Sequence, residues 1–167
     1  SPQYRQAHTE SGYFEEPARF VAEAAALAAR AKGVYITLNP VRPALLARAA
    51  NRVKVIGARD PLTSDKDILE RRYVLFDIDP VRPSGISSTE EEHQLALERA
   101  SAVEALLEAY GFPQPTLADS GNGAHLLYPA QLPAEDGGTV QQLLQVVAGV
   151  LDDQAVLIDR SVFNPAR

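Results

Sequence analysis

Residues 73–79 read YVLFDID, and the alternation within them sets the architecture of everything that follows. Side chains on an extended strand point to opposite faces in turn, so Val74, Phe76 and Ile78 share one face while Asp77 and Asp79 share the other. Such a strand commits an apolar row to a core and leaves two acids on an open face. Downstream, TEEEHQLALERASAVEALLEAYG at 89–111 predicts a long helix, opened by a Thr89–Glu92 capping box and closed by Gly111. PTLAD (115–119) predicts a strand, SGNGA (120–124) a turn and HLLYP (125–129) a further strand. GTVQQLLQVVAGVLDD (138–153) predicts a helix with Leu143, Leu144, Val146, Val147, Val150 and Leu151 along one broad face, and AVLIDRSVF (155–163) a closing strand. Strand, helix, strand, strand, helix, strand is the ferredoxin-like or RRM-like βαββαβ order. It lays helices on one face of an antiparallel sheet and places the chain in the α+β class.

Upstream, Pro17 starts an Ala-rich helix over about 17–31, with Gly33 as its stop. VYITL (34–38) predicts a short strand and ALLARAANRV (44–53) a second helix, which together make an αβα N-terminal subdomain. The loop GARDPLTSDK (57–66) marks the expected boundary, giving an N-terminal unit at 1–66 and a catalytic unit at 67–167 within one domain.

Composition narrows the chemistry. The apolar fraction of 46% is that of a globular chain. No apolar stretch approaches the roughly 20 residues that cross a bilayer, and SPQYRQAHTE lacks a signal-peptide layout, so a soluble cytoplasmic protein with no membrane partner is expected. The lack of methionine, position 1 included, suggests a piece of a longer reading frame. Without cysteine, a metal must be held by carboxylate, imidazole or water, and carboxylates favour Mg²⁺ or Mn²⁺. The net charge of -6 is split unevenly. Residues 1–72 carry 12 Lys and Arg against 8 Asp and Glu, a net +4, and residues 73–167 carry 4 against 14, a net -10. The front half offers a basic surface to a polyanion, with Asn39, Arg42, Asn51 and Arg52 as candidate contacts to template phosphates, and the back half offers acids.

Asp77 and Asp79 repel each other, and a shared divalent cation relieves the conflict. Asp159, after the apolar run AVLI, is expected early in a last strand that runs antiparallel beside the first, close to both acids. Three carboxylates so placed suit two-metal nucleotidyl transfer, in which one ion activates a 3′ hydroxyl and the other neutralises a triphosphate. A second DxD, Asp65 and Asp67, lies in loop context and reads as a turn or cap. Ser120, Gly121, Asn122 and Gly123 form a small turn whose hydroxyl and amides suit phosphate oxygens, and His125 opens the strand beside Asp77 and Asp79. Arg82, in the proline-stiffened loop DPVRPSG, is placed to lean over the site. His8 and His93 read as solvated.

These features together resemble the archaeo-eukaryotic primase superfamily, in particular the prim-pol domains of phages, plasmids and CRISPR-associated primase-polymerases. Its three signatures have counterparts in order in DID (77–79), SGNGAH (120–125) and LID (157–159), and SGYF (11–14), VYITLNP (34–40), DIDPVRPSGISST (77–89) and RSVFNPAR (160–167) look familiar beside them. The resemblance spans nearly the whole chain. It implies that Asp77, Asp79 and Asp159 bind two catalytic metals, that Ser120 and His125 hold the incoming nucleotide and that Arg167 helps with its triphosphate. It implies a nucleotidyltransferase that extends a 3′-OH from dNTPs or NTPs on single-stranded or primed DNA, with or without de novo priming, in a prokaryotic, phage or plasmid setting with a helicase or other replication domain as partner. The family pattern carries further basic and glycine residues after the position of Arg167. Two other readings of the same residues stay open: a metal-dependent nuclease or phosphodiesterase, and a catalytically inert nucleotide- or origin-binding module.

Overall fold

The computed structural model describes residues 8–57 and 59–167. The central element is β3 (Glu70–Pro80), whose Val74, Phe76 and Ile78 are buried while Leu75, Asp77 and Asp79 alternate with them. It is followed by α2 (Glu90–Ala109), β4 (Thr116–Asp119), β5 (Ala124–Pro133), α3 (Thr139–Leu151) and β6 (Val156–Ile158). The four strands form one antiparallel sheet in the order β4-β5-β3-β6. The fold is therefore α+β, with helices and antiparallel sheets. No helix of the described residues is long and apolar enough to cross a membrane.

Local chemistry sets the helix ends. Thr89 caps α2, its Oγ1 accepting from the Glu92 amide at 3.2 Å while Glu92 Oε2 accepts from the Thr89 amide at 2.8 Å. Glu90, Glu91 and Glu92 in the first turn add a favourable interaction with the helix dipole. At the other end Gly111 takes a left-handed φ of 82°, which lets Phe112 N–H bond back to the Leu107 carbonyl. Ala96, Ala100, Val103 and Leu107 form the buried stripe of α2, and the two alanines let the helix lie close on the sheet. In α3 the buried residues are Val140, Leu144, Val147 and Ala148. Val146 and Val150, expected on the packed face, point outward at 65% and 63% exposure because the observed stripe is rotated toward Val140 and Ala148.

The N-terminal piece differs from the expected αβα order. It contains β1 (Glu10–Tyr13), α1 (Pro17–Ala28), a six-residue 3₁₀ turn (Pro43–Arg48) and β2 (Arg52–Val55), with β1 and β2 paired antiparallel. VYITL is not a strand: Tyr35 and Ile36 stand exposed, and among the described residues no strand lies alongside to accept the segment. The second helix stops at Arg48 because Asn51 turns the chain at a left-handed φ of 48°, and RVKV then pairs with β1. Tyr13, Leu45 and Ala49 make a small second core. Main-chain bonds join this piece to the larger sheet, from Arg42 N–H to Asp67 O and from Leu69 N–H to Pro40 O.

The closing strand is also shorter than expected. It ends at Ile158, because Asp159 accepts from both the amide and the hydroxyl of Ser161 and draws the chain into a run of turns through Ala166. The segment that follows is pinned by Arg71, which donates to the Phe163 carbonyl and stands 3.1 Å from Asp136 in a buried ion pair. Asp136 also caps the start of α3 through the amides of Gly138 and Val140.

The connection from α3 into β6 depends on Asp153. Its Oδ1 accepts from the amides of Ala155 and Val156, and its Oδ2 accepts from Arg99 on α2. These donors, the Val156 amide first, hold its carboxyl down at about 2. A depressed carboxyl contributes stability that is fully present above its unfolded value and is lost as pH falls through the folded one. Asp153→Asn keeps an acceptor for the two amides and removes the charge that faces Arg99. Its thermal midpoint is expected to fall at pH 7 and to lie closer to wild type at pH 2, so the gap between the two proteins narrows across about pH 4 to 2. An equal gap at both pH values contradicts this account.

Candidate functional site

Register brings the site together. Asp77 pairs with His125 across β3 and β5, and Asp79 pairs with Leu157 across β3 and β6. Just past the end of β6, the Asp159 amide donates to the Asp77 carbonyl at 2.8 Å, which sets Asp159 beside Asp77 on the side away from His125. Alternation then puts Asp77, Asp79, His125 and Asp159 on the sheet face opposite the buried Phe76, Ile78, Leu126 and Ile158. Leu75 and Leu127, one step back along the same pair of strands, give this face an apolar floor.

Each carboxylate is turned to its own partner. Asp77 Oδ1 lies 3.2 Å from His125 Nε2, Asp79 Oδ1 lies 3.4 Å from Arg82 Nη2, and both oxygens of Asp159 accept from Ser161. Burial pushes the Asp79 carboxyl above the usual carboxylate range; the negative charge of Asp77 adds to this, and Arg82 and His125 offset part of it. The hydrogen bond to Asp77 holds the His125 imidazole above its ordinary value, against the opposing effect of burial. Among the described residues no group of three or more His, Asp and Glu side chains stands at metal-holding spacing. The donor set itself, three carboxylates on one sheet face, offers hard oxygen atoms of the kind that suit Mg²⁺ or Mn²⁺. To chelate one ion together, the three side chains must draw closer than they stand.

The SGNG turn is a tight hairpin, and its amides are already used. Ser120 N–H donates to the Gly123 carbonyl, Gly121 N–H to Asp119 Oδ1 at 2.7 Å, and Gly123 and Asn122 N–H both to Ser120 Oγ. The expected amide cradle for phosphate is thus spent within the turn. What remains is the Ser120 hydroxyl hydrogen, since that oxygen serves its neighbours only as acceptor. Asn122 faces outward from the turn, and its Oδ1 accepts from the Ser88 amide at 3.0 Å.

The residues expected to touch template divide. Asn39 is buried, and its side chain is consumed by the main chain: Oδ1 accepts from Arg72 and Tyr73 at the irregularity in β3, and Nδ2 donates to Pro165 O. It is a staple in the fold and has no polar atom left for DNA. Asn51 is likewise structural, accepting from the Glu15 and Glu16 amides ahead of α1. Arg42 donates to the Lys66 carbonyl yet lies exposed, as does Arg52 on β2. Arg82 leans over the acids as expected, and its Nε is buried without a hydrogen-bond partner. Arg167 lines a small cavity with Tyr73 and Leu75, on the stretch of β3 that leads to Asp77. The second DxD is a cap, with Asp67 closing a capping box on Ser64.

Two contributors were not anticipated. His93, expected to be solvated, is only 17% exposed in its side chain and meets Asp119 Oδ1 at 2.9 Å. Ser161 orients Asp159. The spacing Asp159-x-Ser161 carries the signal for Ser161, because an Asp side chain readily bonds the amide two residues on. No family model, no curated protein and no solved structure matches the chain.

Close approach at Gly123 holds the turn against β3. A Cβ there would fall 2.2 Å from the Ile78 carbonyl and 2.9 Å from Asp79 Oδ1. Gly123→Ala therefore forces main chain apart beside the acids, and a loss of about 1–3 kcal/mol is expected from denaturant unfolding. Gly121 has open space and a left-handed φ of 79°, so Gly121→Asn is expected to cost less than 1 kcal/mol, to order of magnitude. Equal effects at the two glycines would contradict the packing described.

Proposed function

We propose that this chain is the catalytic unit of a DNA primase-polymerase, which adds nucleotides from dNTPs or NTPs to a 3′-OH along a single-stranded or primed DNA template. The observation that carries the reading is the register that gathers Asp77, Asp79, Asp159 and His125 on one partly open sheet face. The strand order β4-β5-β3-β6, with α2 and α3 as its crossovers, supports the ferredoxin-like form of the fold. The sequence resemblance to prim-pol domains points the same way.

Asp77, Asp79 and Asp159 would hold Mg²⁺ or Mn²⁺, which when bound activates a 3′ hydroxyl and neutralises a triphosphate. The chain's own cations and donors have a separate part. His125 and Arg82 now partner Asp77 and Asp79. At the edge of the acids, an imidazole N–H and a guanidinium are donors suited to phosphate oxygens. Ser120 adds a hydroxyl proton from the adjoining turn. Leu75 and Leu127 offer an apolar floor on which a sugar or base rests without competing for the acids.

The test is incubation with Mn²⁺, a primed template and dNTPs. Wild type is expected to lengthen the primer, and the Asp77→Ala, Asp79→Ala double variant to lose about 1,000-fold or more of that rate, as removal of metal-borne charge stabilisation worth several kcal/mol requires. Circular dichroism on the variant checks that it remains folded. Primer shortening by the wild type favours the nuclease reading, in which the same carboxylates activate water. Unchanged extension by the folded double variant removes the site altogether.

A further inference from the structure

The turn that carries Ser120 is latched from outside at two points. Asp119 Oδ1, which accepts from Gly121 N–H inside the turn, also meets His93 Nε2 at 2.9 Å. Asn122 Oδ1 accepts from the amide and hydroxyl of Ser88, the residue just before the Thr89 cap. Both latches lead to the first turn of α2. That turn is itself fixed, through the capping box at one end and through Ala96 and Ala100 buried against the sheet. His93 reaches neither Asp77, Asp79 nor Asp159 through any direct bond.

We propose that His93 is a positioning residue, which through Asp119 holds the turn so that the Ser120 hydroxyl meets a phosphate oxygen of a nucleoside triphosphate bound over the three acids. The inference rests on the function proposed above and adds a residue outside the acid cluster to it. Its physics is preorganisation. Ser120 Oγ is fixed as acceptor by two amides of its own turn, so where its one hydrogen points depends on where the turn sits. A turn freed from α2 has to be ordered again each time a triphosphate binds, and that cost falls on binding. The Ser88 latch stays in place when His93 is changed, so the turn loosens without leaving the site.

The experiment is steady-state primer extension with Mn²⁺ and varied dNTP, on wild type, His93→Leu and His93→Gln, with thermal midpoints measured alongside. His93→Leu loses the bond to Asp119, and KM for the dNTP is expected to rise about tenfold, the equivalent of about 1.4 kcal/mol, with kcat within about twofold of wild type. His93→Gln places an amide donor near the position of Nε2 and is expected to restore most of the loss. An unchanged KM in His93→Leu overturns the inference, as does a fall in kcat that follows a fall in thermal midpoint, or a Gln variant that rescues nothing. If the wild type itself neither extends primers nor binds a Mn²⁺-dNTP complex, the proposed function fails and takes this inference with it. If the wild type is active and His93→Leu matches it, the inference alone fails.

Discussion

β3 is flanked on both sides at Asp77, with His125 of β5 opposite it in register on one side and the Asp159 amide, beyond the end of β6, donating to its carbonyl on the other. The placement of His125 and Asp159 follows from this double flanking of one strand. Because side chains alternate with a period of two, a slip of one residue at either neighbour would turn His125 or Asp159 into the core and bring Leu126 or Ile158 out to water. Phe76, Ile78, Leu126 and Ile158 sit at 2% exposure or less, and their burial is what forbids that slip. The apolar face thus fixes the polar one. Acids distant in sequence stand together because the hydrophobic residues between them have only one way to be packed.

Placing three acids on one face carries an electrostatic cost, and the structure shows how it is contained. His125 takes Asp77, Arg82 takes Asp79 and Ser161 takes both oxygens of Asp159. The Asp79 carboxyl still lies above its usual range, through burial first and the charge of Asp77 second. Under the function proposed above, a divalent cation would draw on the same carboxylates, and their present partners His125, Arg82 and Ser161 carry donors suited to phosphate. The hairpin at Ser120 belongs to this arrangement because Gly123 lets it sit against Ile78 and Asp79 without a side chain in between.

The sequence made the second half of the chain largely legible, and the reasons are local. YVLFDID alternates strictly, the Thr89–Glu92 box marks the start of α2, and Gly111 marks its end. The pairing of His125 with Asp77 could be foreseen from strand order alone. The N-terminal piece was misread because propensity says what a segment tolerates and not what lies beside it. VYITL has strand composition but no strand to pair with among the described residues, and RVKV, whose first two residues read as the tail of a helix, pairs with an ESGY strand that carries almost no apolar signal. Asn39 and Asn51 looked like surface polar residues; one satisfies buried main chain and the other turns it. His93 was misplaced because helix periodicity assigns a face without showing that Asp119 approaches it. Asp159 was found by its apolar lead-in, yet the turn that ends β6 there depends on Ser161, two residues beyond.

The central claim is that the three acids form one cation site. Mn²⁺ titration followed by water-proton relaxation, on wild type and on Asp77→Asn and Asp159→Asn, tests it without reference to any activity. The account predicts saturable binding by the wild type and a weakening of about tenfold or more in each variant, since either substitution removes a charged ligand from the same ion. Binding by the Asp159 variant that matches wild type, or no saturable binding by the wild type at all, would contradict it.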